Sequence, residues 1–292
     1  MSPRGTTPMM QQYLEVKQTY PDEILLYRMG DFYEMFFEDA ELASRLLDIT
    51  LTSRNKKADS PIPMCGVPYR AVQGYIARLI NRGYKVAICD QVEDPSLAQG
   101  LVKREVVRVI TPGMVLENEL LDEKSNNYVL AAIIEKNKIG LSYLDVSTGT
   151  FRVTESDNLD EIIQETYRVA PKEVLLPSAN DDPSFKVYMD AVQNLNPSTL
   201  SANAFDYSQA KQRLLKTLGT ISLEGFGCDL LRPGLRAAGA LIYYVLETQK
   251  QAIAHVRSIE PYRLDNYLFL DDQSYQNLEI EKIYVLGHAK EV

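Results

Sequence analysis

Phe32 and Glu34, two residues apart in the run Arg28 to Phe37 (RMGDFYEMFF), put a stacking surface beside a carboxyl able to carry a proton. Gly30 and Asp31 mark a turn there. Ile24 to Tyr27 before it has strand character, and Phe36, Ala40, Ala43 and Leu47 after it fall on one face of a helix. Phe32 precedes that stripe and is free to point outward. Asp31 with Glu34 also has the spacing of a capping box, and an aromatic at such a turn is equally explained as core. A second chemistry is open at Asp145, which ends a strand: ribonuclease-H-type nucleases hold two metals through several clustered carboxylates. No second or third acid obviously converges on Asp145, and its neighbours Ser147 and Thr148 suit a turn-initiating Asp. His255 and His288 are the only histidines and neither lies near a Ser/Asp or Cys motif. Nucleophilic and histidine-metal chemistries therefore lack support, as does zinc, since Cys65, Cys89 and Cys228 form no CxxC pair. No GxxxxGK[ST] phosphate loop occurs.

The net charge of −9 is unevenly distributed. Residues 1–110 hold 14 Lys+Arg and 14 Asp+Glu, whereas residues 111–292 hold 17 and 26. The neutral first part can present a basic face, with Arg54, Lys56 and Lys57 in one cluster and Lys103, Arg104 and Arg108 in another. Each cluster is also explained as a solvated loop or strand face. No apolar run reaches the ~20 residues that span a bilayer, and the first residues lack a secretory layout, so a soluble cytoplasmic protein is expected.

The elements that must position these residues follow from periodicity and turn chemistry. Thr7-Pro8 opens a helix ending near Pro21. Ile49 to Ser53 alternates like a strand, and Pro61, Pro63, Gly66 and Pro68 impose turns before a helix from about Ala71 to Asn81. Tyr84 to Cys89 and Val102 to Ile110 read as strands. The acidic, uneven stretch after Thr111-Pro112-Gly113 is the best linker. Beyond it, strands at Tyr128 to Glu135, Ile139 to Val146 and Thr150 to Thr154, a helix over 159–168 and a strand at Val174 to Leu176 give a β-β-β-α-β order, the opening of a ribonuclease-H-like fold. Helices are expected from Ala210 to Leu218 and from about Leu230 to Val256.

The run MGDFYEMFFEDA, with TTPMMQQYLEVK before it and PMCGVPY and GYKVAICDQVEDP after it, resembles the N-terminal domain of the MutS mismatch-repair family. SYLDVSTGTFRVTE resembles that family's connector domain, and ALIYYVLETQKQAI with LDDQSYQNLEI resembles the start of its lever or core domain. Met114, Gln273-Ser274-Tyr275 and Lys282 to Val292 depart from the family pattern. The resemblance implies an α/β chain: a mixed-sheet recognition domain over 1–115, a linker over 116–127, a ribonuclease-H-like connector over 128–250, and the start of a helical domain over 251–292. It implies Phe32 stacking on a mispaired base from the minor groove while Glu34 hydrogen-bonds that base, with Arg54, Lys56, Lys57, Lys103, Arg104 and Arg108 as candidate backbone contacts. The implied partners are double-stranded DNA carrying mismatches or small insertion/deletion loops, MutL, and a second copy in a full-length homodimer, with no membrane. ATP and magnesium belong to the full-length family, so no cofactor and no catalysis are expected of this stretch. A metal-dependent nuclease centred on Asp145 is the rival reading, and a purely structural interaction domain the third.

Overall fold

The computed structural model describes residues 7–54, 61–93, 100–114, 126–136, 138–250 and 256–264, with the backbone of 282–285 and 288–291. Helix α1 (Pro8–Thr19) starts where Thr7 caps it, its hydroxyl accepting from the Met10 amide, with Pro8 in the first turn. β1 (Ile24–Met29) and β2 (Phe32–Phe36) form an antiparallel hairpin closed by Gly30-Asp31, and α2 (Phe37–Leu47) follows. This corrects the strand-to-helix reading of 28–37. Ala40, Ala43 and Leu47 do line the buried face of α2, but Phe36 belongs to the strand, with φ −131° and ψ 163°. With no helix start at Asp31, the Asp31/Glu34 capping box has nothing to cap.

β3 (Thr52–Arg54) and β4 (Ile62–Pro68) pair antiparallel, and Met64 to Pro68 of β4 pair antiparallel with the whole of β2. The proline-rich segment is therefore a strand rather than a series of turns. Pro68 ends it and Pro63 lies opposite the three-residue edge strand β3, where a missing N–H removes little of the ladder. α3 (Val72–Ile80), β5 (Val86–Gln91) and β6 (Arg104–Ile110) complete a mixed sheet in the order β3-β4-β2-β1-β5-β6. One face packs Tyr33, Met35 and Ile88 beneath α2 and α3; the other packs Leu25, Tyr27 and Phe36 beneath Met9, Met10 and Tyr13 of α1.

The second sheet begins with the antiparallel strands β7 (Tyr128–Glu135), β8 (Lys138–Asp145) and β9 (Thr150–Ser156). α4 (Leu159–Val169) leads to β10 (Glu173–Pro177), parallel to β7, and α5 (Pro183–Ala191) to β11 (Pro197–Leu200), parallel to β10. The order β11-β10-β7-β8-β9 is the one expected of a ribonuclease-H-like sheet. α6 (Tyr207–Leu218) and α7 (Arg232–Gln249) close one face, α4 and α5 the other. α7 packs on this sheet, where Gly140 admits its Pro233-Gly234 backbone: a Cβ there would lie 2.1 Å from the Pro233 carbonyl carbon. It stops at Lys250 in the left-handed region (φ 54°), short of the expected Val256.

The expected linker lies almost wholly outside the described residues. Within 251–292 the described strands are β12 (Glu260–Pro261), which adds to the edge of β9, and β13 (Lys282–Val285), which pairs with β14 (His288–Glu291); most of the expected helical start lies outside the described residues. Met114 is fully buried, its carbonyl accepting from the Gln249 side chain. The two sheets meet at Lys85, whose ammonium lies 2.9 Å from a Glu173 carboxylate oxygen. That oxygen also accepts from the Tyr244 and Ser198 hydroxyls, at 2.7 and 2.9 Å.

Candidate nucleic-acid interface

A two-residue hairpin needs left-handed backbone at its tip, and Gly30 supplies it with φ 57°. The turn puts Phe32 opposite Met29 of β1 and Pro68 of β4, at the end of the strand. The Tyr69 amide donates to the Asp31 carbonyl (2.8 Å), tying β4 to the turn. Arg28 buttresses the same tip, its Nε donating to the Gly30 carbonyl and its guanidinium lying 3.5 Å from the centroid of the Tyr69 ring.

Strand alternation decides what each side chain of β2 does. Tyr33 and Met35 point into the core under α2 and α3, and the Tyr33 hydroxyl donates to Asp90 (3.0 Å). Phe32, Glu34 and Phe36 share the opposite face, but α1 covers only Phe36. Phe32 is 47% exposed, whereas Phe36, four residues on, is fully buried. Glu34 stands between them, half-buried, opposite Tyr27 on one neighbour and Gly66 on the other. A Cβ at Gly66 would lie 3.2 Å from the Tyr33 carbonyl and 3.6 Å from Glu34 Cγ, so glycine keeps the space beside the carboxyl open. Burial raises the Glu34 pKa, opposed by the positive charge of Arg54. A half-buried carboxyl with a raised pKa can donate a hydrogen bond from its neutral form, and an exposed ring on the same face can stack.

The candidate cations separate. Arg54 reaches Glu34, Nη1 to Oε2 at 3.5 Å, with its guanidinium 6.0 Å from the Phe36 ring centroid. Lys56 and Lys57 lie outside the described residues. Lys103 is exposed and pairs with Glu105 at 2.6 Å, a contact that raises its pKa. Arg104 is buried: its guanidinium donates to the Arg28 and Val102 carbonyls and to the Gln12 side chain, and sits over the Tyr27 ring. Its position is that of a brace between α1, β1 and β6. Arg108 lies across from Ile88, on the face under α2 and α3, and the register shift that follows, between Ile88 and Cys89, puts Arg104 on the opposite face. The Lys103, Arg104 and Arg108 cluster is therefore not one surface. Sequence reasoning passed over Arg28 and Tyr69; the Gly-Val-Pro-Tyr run ending β4 was their signal, unusable without the strand pairing.

Asp145 is 1% exposed and its carboxylate accepts from the Ser147 amide and hydroxyl and from the Thr148 and Asn127 amides. Among the described residues no group of three His, Cys, Asp or Glu could hold a metal ion. No helix among them is long and apolar enough to cross a membrane.

Family models for MutS domain I and MutS domain II match residues 7–119 and 127–257. The chain is 50% identical over 281 residues to the DNA mismatch repair protein MutS of Desulfosudis oleivorans, an alignment covering 96% of this chain and 32% of the relative. The proteins of the same name from Desulfatibacillum aliphaticivorans and Desulforapulum autotrophicum are 50% and 49% identical, over 97% of this chain and 32% of each relative. The chain thus spans about a third of the length of the curated relatives it matches.

Proposed function

The chain belongs to the MutS family, and from that premise we propose that it detects mispaired or unpaired bases in duplex DNA through Phe32, with Glu34 as the polar companion. The observation that supports this most is the pairing on one strand face of an exposed aromatic at a hairpin tip with a half-buried carboxyl two residues on, whose pKa burial raises. Inserting a ring between base steps costs a few kcal/mol of unstacking and kinking, and a mismatch lowers that cost because its pairing and stacking are already damaged. Discrimination then comes from duplex deformability and needs little reading of base edges. A neutral Glu34 donates to an acceptor nitrogen or oxygen that either member of a distorted pair can offer.

The second sheet joins recognition to the rest of the protein and meets MutL, and the whole protein works as a cytoplasmic homodimer whose ATP- and magnesium-dependent steps lie outside this stretch. The 292 residues hold no phosphate-cradling loop and no catalytic group is assigned. Asp145 serves the turn after β8, which leaves the nuclease reading without a supporting observation. The test is a duplex with the fluorescent base 2-aminopurine beside a mismatch. The intact protein should raise its emission by unstacking it, and Phe32→Ala should not. Equal emission from matched and mismatched duplexes, or from both proteins, would count against the wedge.

A further inference from the structure

Arg54 is the one charged group that bears on Glu34 among the described residues. Of the elements around that carboxyl, β1 presents Tyr27, whose hydroxyl is held by Gln12 of α1; β4 presents only Gly66; and β3 presents Arg54. The ion pair is a loose one. It rests on a single nitrogen at 3.5 Å, and the Arg54 and Glu34 side chains remain 34% and 21% exposed, so solvent screens it. Arg54 sits on the edge strand, two strands from Glu34, and its planar group lies near the Phe36 ring. A backbone phosphate offers such a guanidinium two parallel charge-assisted hydrogen bonds where Glu34 takes one.

We propose that Arg54 changes partners when duplex DNA docks, leaving the Glu34 carboxylate for a backbone phosphate, so that Glu34 binds a proton from solvent and meets the base as a neutral donor. The inference rests on the recognition reading above and adds what switches the carboxyl. In the free protein the Arg54 charge opposes the effect of burial and favours the ionised form. Once that charge is neutralised by phosphate, the same burial acts unopposed and the phosphate's own field adds to it. The negative charge that DNA would repel is thereby removed only when DNA is present.

The experiment measures binding of a mismatched duplex to the intact protein by calorimetry in buffers of different ionisation enthalpy, and again as a function of salt. Wild type should take up protons on binding. Glu34→Gln should abolish the uptake and keep the salt slope. Arg54→Gln should shrink the uptake and lower the slope of log affinity against log salt by about one, the signature of one lost phosphate contact. Arg54→Lys, which keeps a charge for phosphate, should restore the slope and controls for folding. No uptake in wild type, uptake surviving Glu34→Gln, or an unchanged slope in Arg54→Gln would overturn the exchange. Failure of the recognition reading would show separately, as a Phe32→Ala protein that keeps its mismatch preference.

Discussion

Phe32 and Phe36 lie on one face of one strand, which makes their alanine substitutions a matched pair. Phe36 is fully buried, its ring 5.0 Å from that of Tyr13 with α1 over it. Phe36→Ala should therefore cost about 3–5 kcal/mol, the range for buried Phe. Phe32, nearly half exposed beside Met29 and Pro68 at the strand end, belongs to none of the core clusters. Its removal should cost about 1 kcal/mol, since roughly half the transfer term is already absent and no closed cavity forms. For a domain of this size that is a fall in melting temperature of roughly 4–8 °C. On DNA the order reverses: a stacked aromatic contributes about 1–3 kcal/mol, a loss of roughly 5- to 150-fold in mismatch preference. Melting curves and the mismatch-to-match affinity ratio should be measured on the same samples. The reasoning fails if Phe32→Ala is as destabilised as Phe36→Ala, or if it melts normally and keeps its ratio.

Glu34→Gln should retain or raise total DNA affinity while raising matched-duplex binding too, narrowing the ratio seen in competition titrations. Because the folded-state pKa of Glu34 is raised, the folded state binds its proton more tightly than the unfolded chain does. That contribution to stability is present on the acid side and is lost as pH rises through the raised value, so Glu34→Gln should flatten this slope in chemical denaturation. Lys85→Met leaves Glu173, 1% exposed at its side chain, with no countercharge at the junction of the sheets, and should cost about 3 kcal/mol in urea unfolding, with Glu173→Gln restoring much of it. Limited proteolysis should cut first between Glu117 and Asn127 and leave two folded pieces; a first stable cut inside either sheet would place the boundary elsewhere. Asp145→Asn should loosen the turn after β8 without removing any magnesium-dependent strand scission, which gel assays can check.

The local signals in the chain sufficed for much of this. Thr7-Pro8 set the start of α1, the β-branched run set β6, and the turns after Glu135 and Asp145 bounded β7 and β8. They misassigned 32–36 because Phe36, Ala40, Ala43 and Leu47 fit a helical period, while the competing strand is fixed by pairing with Met64 to Pro68, some thirty residues later. They misread 62–68 for the same reason, since its prolines describe local backbone and not the neighbour that accepts it. A cluster such as Lys103, Arg104 and Arg108 is one feature in sequence, yet a single register shift and one buried guanidinium divide it among three environments. The sequence by itself determined which residue types were available for stacking, proton donation and phosphate contact. Which of them share a face, which stay in water and which become braces depended on strand pairing and on where α1 ends, both long-range contacts that no local period encodes.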